Sequence, residues 1–418
     1  MKGGSYILNQ QQIKEKNTIK YPTDWKAQLL GEIGEFIKGK GISKREIKVN
    51  GIPCILYGEI YTDHHVLVRK FKSFIDQKTA LKSTRIKKGD LLFTGSGETK
   101  EEIGKAVAFL GDVEAYAGGD IIILRPNKSV NSLYLSYALN SEELIKKRAR
   151  LGQGHSVVHI YPKELKNIKI YLPPLPEQQK IASILSIWDK AIALKEKLIE
   201  QKKEQKKGLM QKLLTGEVRL PGFKNEWKSI KLGNLIKEVK EKSTVNNQFP
   251  VLSVTKNGIV AQEEHFNKQV ASKNNIGYKI VRKNNLVFST MNLWMGSLDV
   301  LTTYNIGIVS PAYKVFELNY QRFHPTFAKY FMQSEFMIWL YKVNSEQGAS
   351  IVRRNLDLKG LLNTLVTIPP LNEQIEIAKL LINSDREIDL LVSEYELLKQ
   401  QKKGLMQLLL TGKVRVKV

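Results

Sequence analysis

Cysteine is nearly absent: Cys54 is the single one in 418 residues. An internal disulfide is therefore excluded, and a lone cysteine suits a reducing compartment and a small buried apolar side chain. Long hydrophobic runs are missing too. No stretch approaches the roughly 18–20 apolar residues that cross a bilayer. The start, Met1-Lys2-Gly3-Gly4-Ser5, has none of the charged, apolar and small-residue parts of a secretory leader. Both absences point to a cytoplasmic protein with no membrane partner.

Histidine is sparse, and His64, His65, His155, His159, His265 and His324 offer no ligand set. His155 and His159 have a spacing that could hold zinc on a helix. Gly154, Val157 and Val158 favour a loop or strand there, and no acid or thiol lies close by, so no metal is expected. Catalytic motifs are equally scarce. Gly95-Ser96-Gly97-Glu98-Thr99-Lys100 resembles a phosphate loop at a glance but lacks both the Walker spacing and the Lys-Ser or Lys-Thr ending. No GxGxxG turn is visible. No Asn-Pro-Pro-aromatic motif of an amino-methyltransferase occurs, since the Pro-Pro pairs follow Leu172 and Ile368. No carboxylates form a recognisable acid–base pair. The chain is expected to catalyse nothing alone and to bind no cofactor of its own.

Acidic side chains are also in deficit, 41 against 66 Lys and Arg, for a net charge of +25. The excess is localised. Residues 1–171 carry 29 basic and 18 acidic groups, a net of +11, and residues 220–367 carry 19 and 10, a net of +9. Self-repulsion makes so large an excess costly unless a polyanion neutralises it, and nucleic acid is the natural partner.

What is present is a repeat. Residues 173–219 recur without a gap at 369–415, with 26 identities in 47 pairs. Each copy opens with Pro-Pro, which suits an extended approach to a helix. Behind it runs a heptad-like seam. In the first copy this is Ile181, Leu185, Trp188, Ile192, Lys195, Ile199, Lys202, Lys206, Leu209 and Leu213. In the second it is Ile377, Leu381, Ser384, Ile388, Leu391, Tyr395, Leu398, Lys402, Leu405 and Leu409. Thr215-Gly216 and Thr411-Gly412 supply stops. The seam predicts a pair of long antiparallel helices in a coiled coil with pseudo-twofold symmetry.

The segments before each copy share only a framework. Asp24-Trp25-Lys26 with Leu30-Gly31 matches Glu226-Trp227-Lys228 with Leu232-Gly233. Gly89–Thr94 matches Asn284–Ser289, and Gln153–Val157 matches Gln347–Ile351. Short β-rich runs at Gly51–Tyr57, Asp90–Thr94, Ile121–Leu124, Val251–Val254, Asn285–Ser289 and Tyr313–Glu317 flank helical patches at Leu133–Arg150 and Thr326–Val343. The fold class expected is α+β, in four parts: residues 1–171, 172–219, 220–367 and 368–418.

At these residues the chain resembles the specificity subunit of a type I DNA restriction-modification system. The carriers are Pro-Pro-Leu-x-Glu-Gln-x-x-Ile-Ala at 173–182 and 369–378, and Lys-Lys-Gly-Leu-Met-Gln-x-Leu-Leu-Thr-Gly-x-Val-Arg at 206–219 and 402–415. The resemblance implies two target-recognition domains, 1–171 and 220–367, each reading half of an interrupted double-stranded DNA site. It implies partners as well: two adenine-methyltransferase (M) subunits and two ATP-dependent restriction (R) subunits. S-adenosylmethionine, ATP and Mg are expected on those partners. The competing readings are a fragment of a self-contained nucleic-acid-modifying enzyme, which the missing motifs disfavour, and a plain coiled-coil dimerisation protein, which the two basic segments disfavour.

Candidate DNA-contacting loops combine basic with hydrogen-bonding side chains. They are Lys38, Lys40, Ser43, Lys44 and Arg45; Ser96; Gln153, His155, Ser156 and His159; Lys240, Lys242 and Ser243; Ser289, Thr290, Asn292 and Trp294; and Gln347, Ser350, Arg353 and Arg354. Arg, Asn and Gln suit base edges, while Lys and Ser suit phosphates. Leu209, Met210, Leu213, Leu405, Met406 and Leu409 are candidates for docking two identical partners, with core packing as the competing use.

Overall fold

The computed structural model describes residues 20–154, 156–255, 258–265, 274–347 and 354–418. The chain divides into two units, Met1–Leu194 with Tyr395–Val418, and Lys195–Glu394. The division falls inside the two long helices rather than at their ends, so each unit contains one variable segment and part of each repeat.

Unit 1 is built on a four-stranded antiparallel sheet of β1 (Gly34–Lys38), β2 (Leu91–Thr94), β3 (Ala106–Ala108) and β4 (Ile121–Pro126), in the order β1-β4-β2-β3. Its central strands read as unbroken apolar runs because both faces are covered. Leu91, Phe93, Ile122 and Leu124 enter one core, and Leu92, Ile121 and Ile123 enter another. The first core is closed by α1 (Ser132–Leu139), α2 (Glu142–Leu151) and the start of the long helix α3 (Leu175–Thr215). A second sheet of Ser73–Ile75, Ile52–Ile55, Ala115–Ala117 and Thr84–Ile86 completes the unit.

Unit 2 repeats the plan. Strands β5 (Ile236–Val239), β6 (Leu286–Ser289), β7 (Leu298–Val300) and β8 (Tyr313–Leu318) take the same order, β5-β8-β6-β7. Leu286, Phe288 and Phe316 face a core shared with α4 (Pro325–Met332), α5 (Glu335–Val343) and the long helix α6 (Leu371–Leu410), while Val287 and Val315 face the other side.

Each expected helical patch is two helices rather than one. The breaks fall at Asn140-Ser141 and Gln333-Ser334. Asn140 spends its amide on the Ala106 carbonyl at 2.6 Å, and Ser334 caps α5 by accepting from Met337 N at 3.3 Å. A polar side chain that satisfies backbone locally ends one helix and starts the next. The run Gly51–Tyr57 is likewise split, since the strand ends at Ile55 and a short helix begins at Tyr57.

The long helices stop at glycines in the left-handed region, Gly216 at φ 76° and Gly412 at φ 68°, where only a residue without Cβ is comfortable. All twenty seam positions named above are buried or half-buried. In unit 2, Lys195 meets Glu394 at 2.7 Å, Lys202 meets Glu387 at 2.6 Å, and Lys206 meets Asp385. Partners descend on α6 as the lysines ascend on α3, so the helices run antiparallel there. In unit 1 the end of α6, through Leu409 and Leu410, packs with Ile181, Ala182 and Leu185 of α3, and Lys402 meets Asp189.

Candidate nucleic-acid interface

The candidate loops in unit 1 leave one end of the main sheet. Thr94, the last residue of β2, pairs with Ile121, the first of β4, and Ile122 pairs with Lys38, the last of β1. Gly39 N donates to the Ile121 carbonyl at 2.8 Å, and a Cβ at Gly39 would run into the Gly118 carbonyl, so glycine is required for this crossing. The segment beyond is shaped by a capping box in which Glu46 accepts from Ser43 N at 2.9 Å. Lys38, Lys40, Ser43, Lys44 and Arg45 are all exposed.

Two loops distant in sequence then become one surface. Ser96–Gly97 pairs antiparallel with Val158–His159, and Gln153 bridges His159 through both backbone groups. The Ser96 hydroxyl and His159 Nδ1 lie 3.0 Å apart. Tyr61 fastens this corner: its hydroxyl lies 2.7 Å from Thr94 Oγ1, a hydrogen-bonding hydroxyl, and donates to the Ser96 carbonyl at 3.0 Å. Burial pushes the Tyr61 phenol up to about 12, which keeps it a donor. Gln153 and Ser156 are exposed and His159 is half-buried, while Ser96 is buried and serves the corner itself. His155 lies outside the described residues.

Unit 2 makes the same convergence with different side chains. Ser289, the last residue of β6, pairs with Tyr313, the first of β8. The loop beyond contains a single 3-10 turn, Leu293–Met295, closed by Gly296 at φ 81°. It meets the hairpin Ser345–Gln347 with Arg354–Leu356. Arg354 N donates to the Met291 carbonyl at 3.2 Å, and Arg354 Nε and Nη2 donate to Ser345 Oγ at 2.9 Å and its carbonyl at 2.6 Å. Its guanidinium also sits 5.9 Å from the centre of the Trp294 ring. Arg354 therefore braces the two loops against each other. Ser243 is buried and donates to the Asn275 carbonyl at 2.8 Å, and Ser289 is buried at the strand end. Lys240, Lys242 and Gln347 are exposed, and Thr290, Asn292 and Trp294 are half-buried. Ser350 and Arg353 lie outside the described residues. An end rich in exposed lysine, with amides and hydroxyls among it, suits phosphates and base edges.

The candidate docking residues divide. Leu213 and Leu409 are 2% exposed, each inside the core of its own unit, which leaves them no surface for a partner. Leu209, Met210, Leu405 and Met406 are half-buried against those cores, and Leu209 lines an open groove with Gly208, Lys212 and Ser384.

The repeats also make polar joints that the heptad seam by itself does not predict. Glu177 and Glu373, buried in the first turns of α3 and α6, receive an arginine from the end of the other repeat. Arg415 Nε reaches Glu177 at 2.7 Å and Arg219 Nε reaches Glu373 at 2.6 Å. Arg415 also holds Asp24 at 2.7 Å, and Trp227 Nε1 donates to Glu373 at 3.2 Å, so the tryptophan signatures belong to these joints. Gln178 bonds Asn131 N and the Pro173 carbonyl, each at 2.8 Å; Gln374 does the same for His324 N at 2.9 Å and the Pro369 carbonyl at 2.8 Å. The Pro-Pro-Leu-x-Glu-Gln motif is thus a socket. Its signal was available in the repeated Val-Arg endings, whose arginines had no assigned role.

Among the described residues no group of three or more His, Cys, Asp or Glu could hold a metal ion, and no helix is long and apolar enough to cross a membrane. Fold and site together define a duplicated, basic DNA-binding protein whose two similar sheets each present converging loops at one end. Residues 22–203 match the Type I restriction modification DNA specificity domain. The type I restriction enzyme MjaVIII specificity subunit of Methanocaldococcus jannaschii is 27% identical over 447 residues, covering 98% of each chain. A second sequence of that organism, bearing the MjaX specificity-subunit name, is 28% identical over 437 residues at the same coverage. A solved structure described under complex assembly and conformational transition of the type I R-M system shares the fold, with a TM-score of 0.61 and 15% identity over 94% of this chain and 100% of the other. Along nearly its whole length the chain is similar to specificity subunits of type I restriction enzymes, and residues 22–203 carry the match to their DNA specificity domain.

Proposed function

We propose that this chain reads an interrupted, two-part DNA site and carries its partners to it. The observation that supports this most is the shared end of the two sheets. In both units the loop after the second strand in sequence and the segment before the long helix converge there, on segments holding +20 of the net charge. Phosphate neutralisation supplies affinity and loop side chains supply specificity. Residues 1–171 and 220–367 act as the two target-recognition domains. The two repeat helices form an antiparallel coiled coil with pseudo-twofold symmetry between them. At 41 and 40 residues, each about 60 Å long, they set the gap between half-sites. The chain itself is non-catalytic. Two methyltransferase subunits, bringing S-adenosylmethionine, and two restriction subunits, bringing ATP and Mg, perform the chemistry in the cytoplasm.

The test replaces residues 220–367 with the corresponding segment of a relative and maps methylated bases. One half of the target should change and the other persist; a change in both halves refutes independent reading. Binding should weaken linearly in log–log form with added salt, at a slope near −0.9 per phosphate contacted. A flat salt response removes the electrostatic basis of the proposal.

A further inference from the structure

In unit 1, Tyr137 on α1 donates its hydroxyl to Asp189 on α3. Lys402 on α6 binds the same carboxylate, and its ammonium lies 5.4 Å from the centre of the Tyr137 ring. In unit 2, Tyr330 on α4 donates to Asp385 on α6 at 2.6 Å. Lys206 on α3 binds that carboxylate and lies 5.3 Å from the Tyr330 ring. Each joint brings together one side chain from the recognition domain and one from each long helix.

Twelve residues earlier on the same helix lies the other joint, Glu177 with Arg415 or Glu373 with Arg219. Twelve helical residues separate the two attachments by about 18 Å. The apolar packing between them, Ile181 and Leu185 under α1 or Ile377 and Leu381 under α4, is non-directional and lets one helix roll on another. Charge-assisted hydrogen bonds are directional, and two of them some distance apart on one helix hold a body against rolling. Burial, then the bond to aspartate, raises both tyrosine phenols, so these hydroxyls remain protonated donors.

We infer that the Tyr137–Asp189–Lys402 and Tyr330–Asp385–Lys206 joints are positioning elements that fix the angle at which each recognition domain is held on the helices, and so set how strictly one gap between half-sites is demanded. The inference rests on the function proposed above. Unit 1 carries the tighter joint, since its Asp189 and Lys402 side chains are 17% and 16% exposed against 38% and 21% for Asp385 and Lys206.

The experiment uses the full chain with its methyltransferase subunits and three duplexes: the native gap, one base pair shorter and one longer. Variants are Tyr137→Phe, Asp189→Asn, Tyr330→Phe and the double phenylalanine form, each checked for folding by circular dichroism. Expected are near-normal methylation at the native gap and a loss of about tenfold in discrimination against the altered gaps, about 1.4 kcal/mol, larger for the unit 1 variants. Unchanged discrimination in folded variants, including a uniform loss on all three duplexes, overturns the inference and leaves the function standing. A wild-type complex that methylates no interrupted site overturns the function and the inference together.

Discussion

One buried task is performed by opposite chemistry in the two units. At the last turn of α1, Arg148 is 1% exposed, donates to the Leu139 carbonyl and leaves Nε without a partner. At the last turn of α4, Tyr341 is fully buried and donates to the Met332 carbonyl at 2.8 Å. Both stand seven residues after the serines that precede α2 and α5, Ser141 and Ser334. A helix end leaves carbonyls that need a donor, and the need is blind to charge. The cost is not. Desolvation pulls Arg148 down to about 10 and raises Tyr341 well above its ordinary range, but tyrosine is neutral at physiological pH and arginine is not. The outward faces diverge further. Helix α2 carries Lys146, Lys147 and Arg150, whereas α5 exposes Phe336, Trp339 and Val343. Framework is kept and surface is rewritten, as expected of two readers with different targets.

The largest expected effect tests whether the units are as alike inside as their sheets suggest. Phe93 and Phe288 occupy matching strand positions and are almost fully buried. Phe93→Ala and Phe288→Ala should each cost about 3–5 kcal/mol, with faster hydrogen exchange confined to the mutated unit. Faster exchange in both would show that the units fold together. Next comes the helix-end comparison. Tyr341→Phe strands a buried carbonyl and should cost about 1–3 kcal/mol by urea unfolding. Arg148→Met strands one too but removes an unpaired buried cation, so its cost should be the smaller; the reverse order would mean that Arg148 is well compensated. Smaller again is the pair Gly216→Ala and Gly412→Ala. Each forces a Cβ into left-handed backbone for about 1 kcal/mol. At Gly412 the Cβ also meets Pro22, while at Gly216 the nearest Trp227 atoms are 3.4 Å away, so unfolding temperature should drop more for Gly412→Ala.

The finest comparison is in pH. Burial lowers the imidazole pKa of His64 in unit 1 and of His324 in unit 2. With the folded value below the unfolded one, stability is unaffected above pH about 6.5 and falls as pH drops below it, because only the unfolded chain takes the proton. His64→Gln should reduce the loss of stability between neutral and mildly acid pH; an unchanged loss assigns it to other groups.

Much of the architecture was legible beforehand. The runs at 90–94, 121–124, 285–289 and 313–317 are strands because apolar, β-branched residues with both faces covered leave a local mark. The long helices were legible from spacing and stop residues, and the loops 38–45 and 240–243 from composition. The breaks at Asn140-Ser141 and Gln333-Ser334 were obscured because apolar periodicity continues across them, while a cap is a single polar side chain. Ser96, Ser243, Ser289 and Arg354 stand out by residue type, yet composition cannot tell an exposed polar group from one engaged inside the fold: Ser96 pairs with His159, Ser243 with the Asn275 carbonyl and Arg354 with Ser345, while Ser289 is buried.

The sequence alone determined the duplication, the seam, the charge distribution and the shared framework of the two variable segments, since each is written in local pattern or in self-similarity. Tertiary structure alone decided which partners meet. It set Ser96 against His159, exchanged Arg219 and Arg415 between the repeats, and let an arginine in one unit and a tyrosine in the other close the same helix end. The physical reason is that periodicity fixes which face of an element is buried. Which distant groups are brought within hydrogen-bonding reach depends on how those faces pack, and many pairings of the same local pattern are open to the chain until they do.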